Sequence, residues 1–361
     1  MSREVARTLA GPVRPVVQTA SALVIRVVAL VAVALLASVA CRADDGRDAL
    51  WRSIFARPAD ASPDRAGREA DPRAGLGARL FRDPRLSGAT TRSCASCHQP
   101  ELGFTDGLPK GAGLDGTLLK RNTPTLLNAR WGTSFYWDGR MPTLEAQARV
   151  PILAPNELGG DFATVVARFD ADAEMRRGFA TAFPDAPDVS EANILAALAA
   201  YERTLVSPRT RFDAWVDGDD GALNSEERQG FAIFVGKGGC VSCHGGWRFT
   251  DDAFHDIGLE SSDPGRGGVD PTISGLPAFK TPTLRELART APYMHDGSLS
   301  TLDDVVSHYA GKVRFRASLS PNIVRGLKLD ARERAALVAF LGTLSSGESI
   351  GPESAPSSAT R

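Results

Sequence analysis

The chain has 361 residues, enough for two domains of ordinary size, and a formal net charge of −1. A charge this close to zero argues against nucleic acid as a partner and against a strongly acidic substrate. Only five cysteines are present, and four of them stand in two copies of one pattern that is described below.

Residues 1–40 are predicted to be an export signal peptide. Several arginines precede an apolar run over residues 27–40 that ends in small residues. Such a run is short for a membrane-spanning helix and typical of a secretory signal. Cleavage after Ala40 would place Cys41, the one cysteine outside the repeated pattern, at the new amino terminus. The segment therefore resembles a bacterial lipoprotein signal, with ordinary cleavage or an uncleaved anchor as the alternatives. We expect a periplasmic protein with Cys41 as a possible lipid anchor.

Residues 41–73 contain much Asp, Arg, Ala, Gly and Pro and little apolar residue, which predicts a flexible tether. Order is expected from residue 74, because Leu76, Leu80 and Phe81 share one helical face. Further helices are predicted after Ser190, after Asn224 and after Asp330, each a good N-cap residue. No run alternates with the period of a strand, so the predicted fold class is all-α.

The pattern Cys-x-x-Cys-His occurs at residues 94–98 and again at residues 240–244. It is the signature of covalent c-type haem attachment, in which two thiols bind one porphyrin and the adjacent histidine ligates the iron. Chance and a zinc or redox Cys-x-x-Cys are the alternatives. Two complete matches that use four of five cysteines favour two haem c groups held by Cys94, Cys97, Cys240 and Cys243, with His98 and His244 as the axial ligands.

The sequence around the two patterns is also repeated. Residues 123–126 read Thr-Pro-Thr-Leu, as do residues 281–284, and Asp-Gly and Thr-Leu pairs recur at the same spacing. We therefore predict a duplicated haem module, with cytochrome c-like domains at residues 74–216 and 217–345. Residues 346–361 are rich in Ser, Gly, Pro and Glu and are predicted to be a disordered tail.

The histidine count indicates how the two irons differ. Within the first module the only histidine is His98. Met141 and Met175 are the other candidate ligands, and both are interpreted as packing residues. The first haem is therefore expected to have an open sixth position, which suits binding of a small oxidant better than simple electron transfer.

Several strings, taken in order, resemble the bacterial diheme cytochrome c peroxidase family, including its methylamine-utilisation (MauG) branch. The resemblance spans about residues 74–345 and is carried by residues 121–125, 135–140, 145–148, 155–157, 279–285 and 291–297. The resemblance implies that Glu157 is the distal acid–base residue over the first haem and that Gln147 is its distal glutamine partner. It also implies that Trp137 lies between the two haems and relays electrons. Without the resemblance, Glu157 would be interpreted as an exposed loop acid and Trp137 as a core aromatic.

A calcium ion is implied by the same resemblance, because Asn122, Thr290 and Pro292 match the family's interdomain calcium site. Their oxygen atoms suit a hard cation. The alternative for Asn122 is a residue that caps a turn.

Two departures from the classical peroxidases concern the ligands of iron. Leu114, Asp115 and Gly116 occupy the region just upstream of the string at residues 121–125, where classical members carry a histidine as a removable distal ligand. The classical axial methionine of the second haem aligns with Tyr309, which is the MauG-type arrangement, although the neighbouring His308 is an alternative ligand. Met294 is interpreted as packing, and His255 and His295 as hydrogen-bonding residues near the haem.

A third departure separates the chain from the methylamine enzyme, whose electron-exit tryptophan is replaced here by Gly238. The leading hypothesis is a periplasmic diheme peroxidase that reduces hydrogen peroxide with electrons from a small donor protein of the cytochrome c or cupredoxin type. The alternative is an oxidase that modifies an unidentified partner protein by long-range electron transfer. A non-enzymatic diheme electron carrier is a third hypothesis, disfavoured because a carrier needs neither an open iron nor a distal acid.

Overall fold

The computed structural model describes residues 46–61 and 71–347 of the chain. The predicted export signal, Cys41 and residues 348–361 of the predicted tail lie outside the described residues. The chain divides into two units, Met1–Ser53 and Ile54–Arg361. In the first unit residues 46–53 are helical. Along the described ranges, no helix is both long enough and apolar enough to span a membrane.

The second unit is mostly helical, in agreement with the predicted fold class. Its helices, in chain order, are α1 Pro72–Arg82, α2 Leu144–Leu153, α3 Phe162–Asp170, α4 Ala173–Ala182, α5 Glu191–Glu202, α6 Arg211–Val216, α7 Ser225–Val235, α8 Leu302–Ser307 and α9 Ala331–Gly342. The strands of this unit are the two-residue pair β1 Phe254–His255 and β2 Phe279–Lys280, which pair antiparallel. Long loops with short 3₁₀ turns join the helices and carry most of the residues that line the site. The predicted boundary near residue 217 stays a prediction.

The predicted helix starts are confirmed by their caps. Ser190 accepts from the Asn193 N–H, so α5 begins where the sequence indicates. Asn224 with Glu227 and Asp330 with Glu333 form reciprocal capping boxes at α7 and α9. A capping side chain of this kind contributes about 1 kcal/mol each, so local sequence alone decides where these helices begin.

Two helix pairs cross in the same way, one in each half of the unit. Gly77 of α1 packs so closely on α5 that an added Cβ would lie 1.9 Å from the Ala197 carbonyl oxygen. Gly230 of α7 meets Ala336 of α9 at the same 1.9 Å. Only glycine permits such an approach of two backbones. The duplication seen in the sequence is therefore a duplication of helix packing.

The loops after the repeated Thr-Pro-Thr-Leu string also share a backbone path. Asn128 and Glu286 occupy equivalent positions and are both left-handed, with φ of 63° and 59°. Tyr136 and Met294 are likewise equivalent and have φ of 68° and 74°. In both halves the string's second threonine donates its hydroxyl to a carbonyl just after the Cys-x-x-Cys-His pattern, that of Gly103 or Arg248.

Residues 54–61 depart from the expected tether, because they pack against the second half of the unit. Phe55 is completely buried, with its ring 4.8 Å from Phe249 and 5.5 Å from Phe212. Arg57 donates to the carbonyls of Ser207 and Pro208 at 2.9 and 2.8 Å. The composition of the segment did not predict this packing, because two residues, Phe55 and Arg57, make the contacts that fix it.

Arg57 also belongs to a buried charge cluster. Its Nε lies 3.0 Å from Asp213, whose other oxygen lies 2.8 Å from Nη1 of the fully buried Arg285. Burial lowers the pKa of Arg57, and it lowers the pKa of Arg285 to about 10. Burial opposes ionisation of Asp213 too, but the two guanidinium groups outweigh it and hold the pKa of that carboxyl below its ordinary value. Three segments distant in sequence are joined here.

Candidate functional site

One continuous cavity of about 880 Å³ occupies the second unit. Both Cys-x-x-Cys-His patterns line it, although they lie far apart in sequence. The structure brings together every site residue predicted from the sequence, since the lining includes Cys94, Cys97, His98, Asn122, Trp137, Gln147, Glu157, Cys240, Cys243, His244, Thr290, Pro292 and Tyr309.

Cys94 and Cys240 begin two short 3₁₀ turns, Cys94–Ser96 and Cys240–Ser242, and Cys97 and Cys243 follow as the C-cap residues. None of the four forms a disulfide. Burial raises the pKa of the Cys94 and Cys240 thiols to about 12, so both are protonated. Gly239, at φ 66°, leads into the second turn and approaches Val324 so closely that a Cβ would lie 2.5 Å from its methyl group.

Each proximal histidine is oriented by a backbone carbonyl. The Nδ1–H of His98 donates to the Phe104 oxygen at 2.9 Å, and the Nδ1–H of His244 donates to the Phe249 oxygen at 2.8 Å. Both phenylalanines have positive φ, which aims their carbonyls at the ring. Burial lowers the pKa of both imidazoles, so they are neutral. Nε2 of each is thereby left as the metal-binding atom, the usual state of a ligating histidine.

Glu157 lies in the turn that follows α2 and faces the cavity. Its N–H donates to the Ala154 carbonyl at 2.9 Å, which fixes the backbone of the turn. Burial raises the pKa of the Glu157 carboxyl above its ordinary value, and the nearby Arg140 charge opposes the shift. A carboxyl whose pKa is raised in this way keeps its proton to a higher pH than an exposed glutamate, which suits an acid–base residue.

Two side chains that were not singled out in the sequence frame Glu157. Arg140 stacks over the Tyr136 ring at 3.4 Å, and the Tyr136 hydroxyl donates to the Gln147 carbonyl at 3.4 Å. Burial, followed by the charge of Glu157, raises the pKa of Tyr136 to about 12, so its phenol stays neutral. Both residues belong to the family-matching string at residues 135–140, and this membership was the sequence feature that could have identified them.

Trp137 lies in the cavity wall, where backbone groups from both halves hold it. Its indole N–H donates to the Asn122 carbonyl at 2.9 Å, and its own carbonyl accepts from the Lys280 N–H at 2.8 Å. Asn122 is tied in turn to the second half, because its N–H donates to the His295 carbonyl at 2.8 Å. Trp137 is therefore tied to backbone groups of both halves, in the wall of the cavity that both Cys-x-x-Cys-His patterns line.

The three calcium candidates line the same cavity. The Nδ2 group of Asn122 donates to the Leu108 carbonyl at 2.8 Å, so Oδ1 is the side-chain atom suited to a cation. Thr290 and Pro292 lie in the loop before the Tyr293–Leu299 bridge and would offer backbone carbonyls.

Tyr309 and His308 point in different directions. Both stand on a π-helical turn, His308–Lys312, that continues α8. The His308 ring is buried, and its Nε2–H donates to the Ile257 carbonyl at 3.0 Å. Tyr309 lines the cavity, and burial raises the pKa of its phenol, because the anion would be poorly solvated there.

The remaining histidines form hydrogen bonds, whereas the interpretation of Met141 and Met294 as packing residues stays a prediction. His255 bonds to Ser320 and Asp251 at 3.0 and 2.8 Å, and His295 bonds to Ser261 at 3.1 Å. Buried methionine packing is clearest at position 175, which is 1% exposed in the core of the first half. Met141 pairs by its backbone with Phe135, and Met294 lines the cavity.

Glu202 is a further acid in the cavity wall that sequence reasoning missed. It ends α5 and is 4% exposed. The available signal was its spacing, since it lies four residues after Leu198 on the apolar stripe of that helix.

Comparisons with known proteins extend this description. A family model described as di-haem cytochrome c peroxidase matches residues 71–221. The chain is 44% identical over 299 residues to the methylamine utilization protein MauG of Methylorubrum extorquens, which covers 82% of this chain and 84% of that protein. It is 35% identical over 311 residues to a cytochrome-c peroxidase of Denitromonas iodatirespirans, covering 76% and 82%. The crystal structure of a MauG-like protein associated with microbial copper homeostasis matches with a TM-score of 0.74 at 33% identity, over 83% of this chain and 95% of that one.

Proposed function

This chain belongs to the di-haem cytochrome c peroxidase family, and from that premise we propose that it is an oxidoreductase that reduces hydrogen peroxide. The observation that carries the proposal is the shared cavity, which is lined by Glu157, by Trp137 and by His98 and His244, whose Nε2 atoms are available to bind a metal. The electrons would come from a small donor protein of the cytochrome c or cupredoxin type.

Two haem c groups fit the residues present. Cys94 and Cys97 would hold the first in a cytochrome c-like domain, and Cys240 and Cys243 the second, with His98 and His244 ligating through Nε2. When bound, haem supplies an iron that accepts peroxide and retains its oxidising equivalents. The donor set supports haem over zinc, because each thiol pair stands beside a single histidine in a complete Cys-x-x-Cys-His pattern.

Glu157 is proposed as the acid–base residue. Its carboxylate would take a proton from one peroxide oxygen and return it to the departing oxygen, which leaves as water. Burial supports this role, because the raised pKa of the Glu157 carboxyl keeps both protonation states accessible. Gln147 and the neutral Tyr136 phenol, linked by a hydrogen bond, would orient peroxide toward Glu157.

Trp137 is proposed to relay electrons between the two halves, since its indole donates to the Asn122 carbonyl of the first half and its backbone carbonyl accepts from Lys280 of the second. Tyr309 is proposed as the second axial ligand of the second haem in preference to His308. The support is that the phenol lines the cavity, whereas Nε2 of His308 is engaged with Ile257. An anionic oxygen donor favours ferric iron and lowers its potential.

A calcium ion is proposed at Asn122, Thr290 and Pro292, where oxygen atoms from both halves meet the same cavity. It would tie together the loops that hold Trp137. Export to the periplasm is proposed from the signal-like residues 1–40, with Cys41 as a candidate lipid anchor.

A second candidate function is oxidation of a residue on a partner protein. It is favoured by the 44% identity to MauG of Methylorubrum extorquens over most of both chains. The replacement of that enzyme's exit tryptophan by Gly238 argues against the same protein substrate. A partner whose mass changes only when peroxide is supplied would favour this candidate, whereas turnover with a small reductant and no such partner favours the peroxidase.

The proposed function is tested by EPR of the resting ferric protein together with peroxide turnover. We expect two haems per chain, one high-spin and one low-spin, and reaction with peroxide without prior reduction. Two low-spin signals, or activity that appears only after half-reduction, would overturn the open first site. Failure to turn over peroxide in a fully loaded protein would leave only the electron carrier.

A further inference from the structure

Glu202 is a buried acid that the proposed function does not use. It is the last residue of α5, it is 4% exposed, and it lines the cavity on the side of Cys94. Its Oε2 is buried and has no hydrogen-bond partner. An ionised carboxylate in such a place is strongly disfavoured, so the group is stable there as the neutral acid.

The charged groups around Glu202 do not remove this penalty. Arg203 is next in the chain, but its guanidinium is committed to Glu145 of α2 at 2.8 Å. Burial raises the pKa of Glu202 to about 8, Arg203 opposes the shift, and Glu145 adds to it. On the neighbouring 3₁₀ turn the facing titratable group is Cys94, a neutral thiol that becomes a thioether once haem is attached. From α1 the charged side chain nearest this end of α5 is Arg82, whose Nη2 contacts the Tyr201 hydroxyl at 3.4 Å.

We infer that Glu202 is the redox-linked proton store of the first haem, holding a proton when that haem is reduced and releasing it when the haem is oxidised. The inference rests on the proposed function, because it requires haem at Cys94 and Cys97. Oxidation adds one positive charge to the same poorly solvated crevice, and that charge stabilises the Glu202 carboxylate. One electron then passes to a one-electron oxidant, which is the mediator dye in a redox titration, while one proton leaves the carboxyl through the cavity to water, so the charge of the crevice stays constant.

This role differs from that of Glu157. Glu157 faces the Cys97 side and moves a proton within one peroxide-cleavage event. Glu202 faces the Cys94 side and would set how tightly the first haem holds its electron at each pH. Glu202 would therefore act through the reduction potential of the first haem, and it has no part in the proton transfer to peroxide that is assigned to Glu157.

The test is a spectroelectrochemical titration of the high-spin haem in the fully loaded protein between about pH 6 and 10. In the wild type the electron affinity should fall with rising pH by up to tenfold per unit, about 59 mV for one electron. In the Glu202→Gln variant the amide keeps the shape of the neutral glutamic acid and cannot ionise. The reduction potential of the first haem should therefore stay near its low-pH value across the whole pH range. Glu191→Gln is the matched control, because Glu191 stands at the opposite end of α5, is partly exposed and pairs with Arg149 rather than with Arg203. This variant should keep the wild-type slope.

A wild-type pH dependence in the Glu202→Gln protein would overturn the inference. If that variant does not load haem, the inference is tested instead by the oxidised-minus-reduced infrared difference spectrum of the wild-type protein. Loss of a protonated carboxyl band on oxidation of the first haem supports the inference, and the absence of any such band overturns it. Failure of the proposed function appears separately, as missing haem or missing peroxide turnover at a fixed pH.

Discussion

Replacing Asp213 by asparagine removes the carboxylate that contacts two buried arginines while keeping the shape of the side chain. Asp213 is 1% exposed and accepts from Arg57 and Arg285. Arg285 also donates to the carbonyl of Trp247, makes a long contact to Thr210 and stacks over the Phe249 ring at 5.1 Å, and its Nη2 has no hydrogen-bond partner. The variant would leave both guanidinium groups buried without the carboxylate that contacts them, and the weaker charge of Glu286 would still act on both.

Breaking a buried pair by removing one partner costs about 3–5 kcal/mol, because the surviving charge is uncompensated. A typical domain has about 5–15 kcal/mol of stability in all, so we expect a loss of roughly a fifth or more. The structural consequence is specific, since Asp213 joins the segment around Arg57 to the loop that carries Arg285. The double variant Asp213→Asn, Arg285→Met should recover part of the loss, because it removes one of the two stranded charges.

Urea unfolding followed by circular dichroism measures this change as a shift in midpoint. Glu260→Gln is the matched control, because Glu260 pairs with Arg314 at the surface, where both side chains are more than half exposed. That pair should contribute less than about 1 kcal/mol. If Asp213→Asn unfolds within about 1 kcal/mol of the wild type, the charge cluster does not hold these segments together.

Three further predictions concern the site. Glu157→Gln should slow peroxide consumption by about 10²–10⁴-fold in stopped flow with little change in the resting spectrum; an unchanged rate would remove Glu157 from the mechanism. In the wild type that rate should rise with pH as the carboxylate forms, with a midpoint above the ordinary glutamate range because burial raises its pKa, and Glu157→Gln should lose this rise. Tyr309→Phe should alter the low-spin EPR signal while His308→Ala leaves it nearly intact, and the opposite pattern would reassign the ligand. Trp137→Phe should leave peroxide consumption at the first haem fast but slow oxidation of the second, so equal optical rates at both haems would contradict the relay.

Local features of this protein were readable from the sequence because they depend on neighbours in the chain. The caps Ser190, Asn224 and Asp330 act within three residues, and the Cys-x-x-Cys-His patterns are complete in five. The repeated strings predicted a duplication, and the equivalent left-handed residues Asn128 and Glu286 bear it out.

The interpretation of residues 54–61 as part of a tether was wrong because the contacts that order this segment are made with residues far away in the sequence. Mean composition averages over a segment, whereas Phe55 and Arg57 are each fixed by residues about 150 or more positions away. No local pattern carries that information, because the partners become neighbours only when the chain folds.

The sequence by itself determined the helix starts, the duplicated plan and the residue types that can hold two haems. Only the tertiary structure decided which of two adjacent side chains, His308 or Tyr309, faces the cavity, because a π-helical turn sets their directions. It also decided that Glu202 is a buried acid, because burial is a property of the packed helices α1, α2 and α5 together. The spacing of residues along the chain determines which side chains share a face of a helix, whereas the packing of the helices determines which of those side chains are buried.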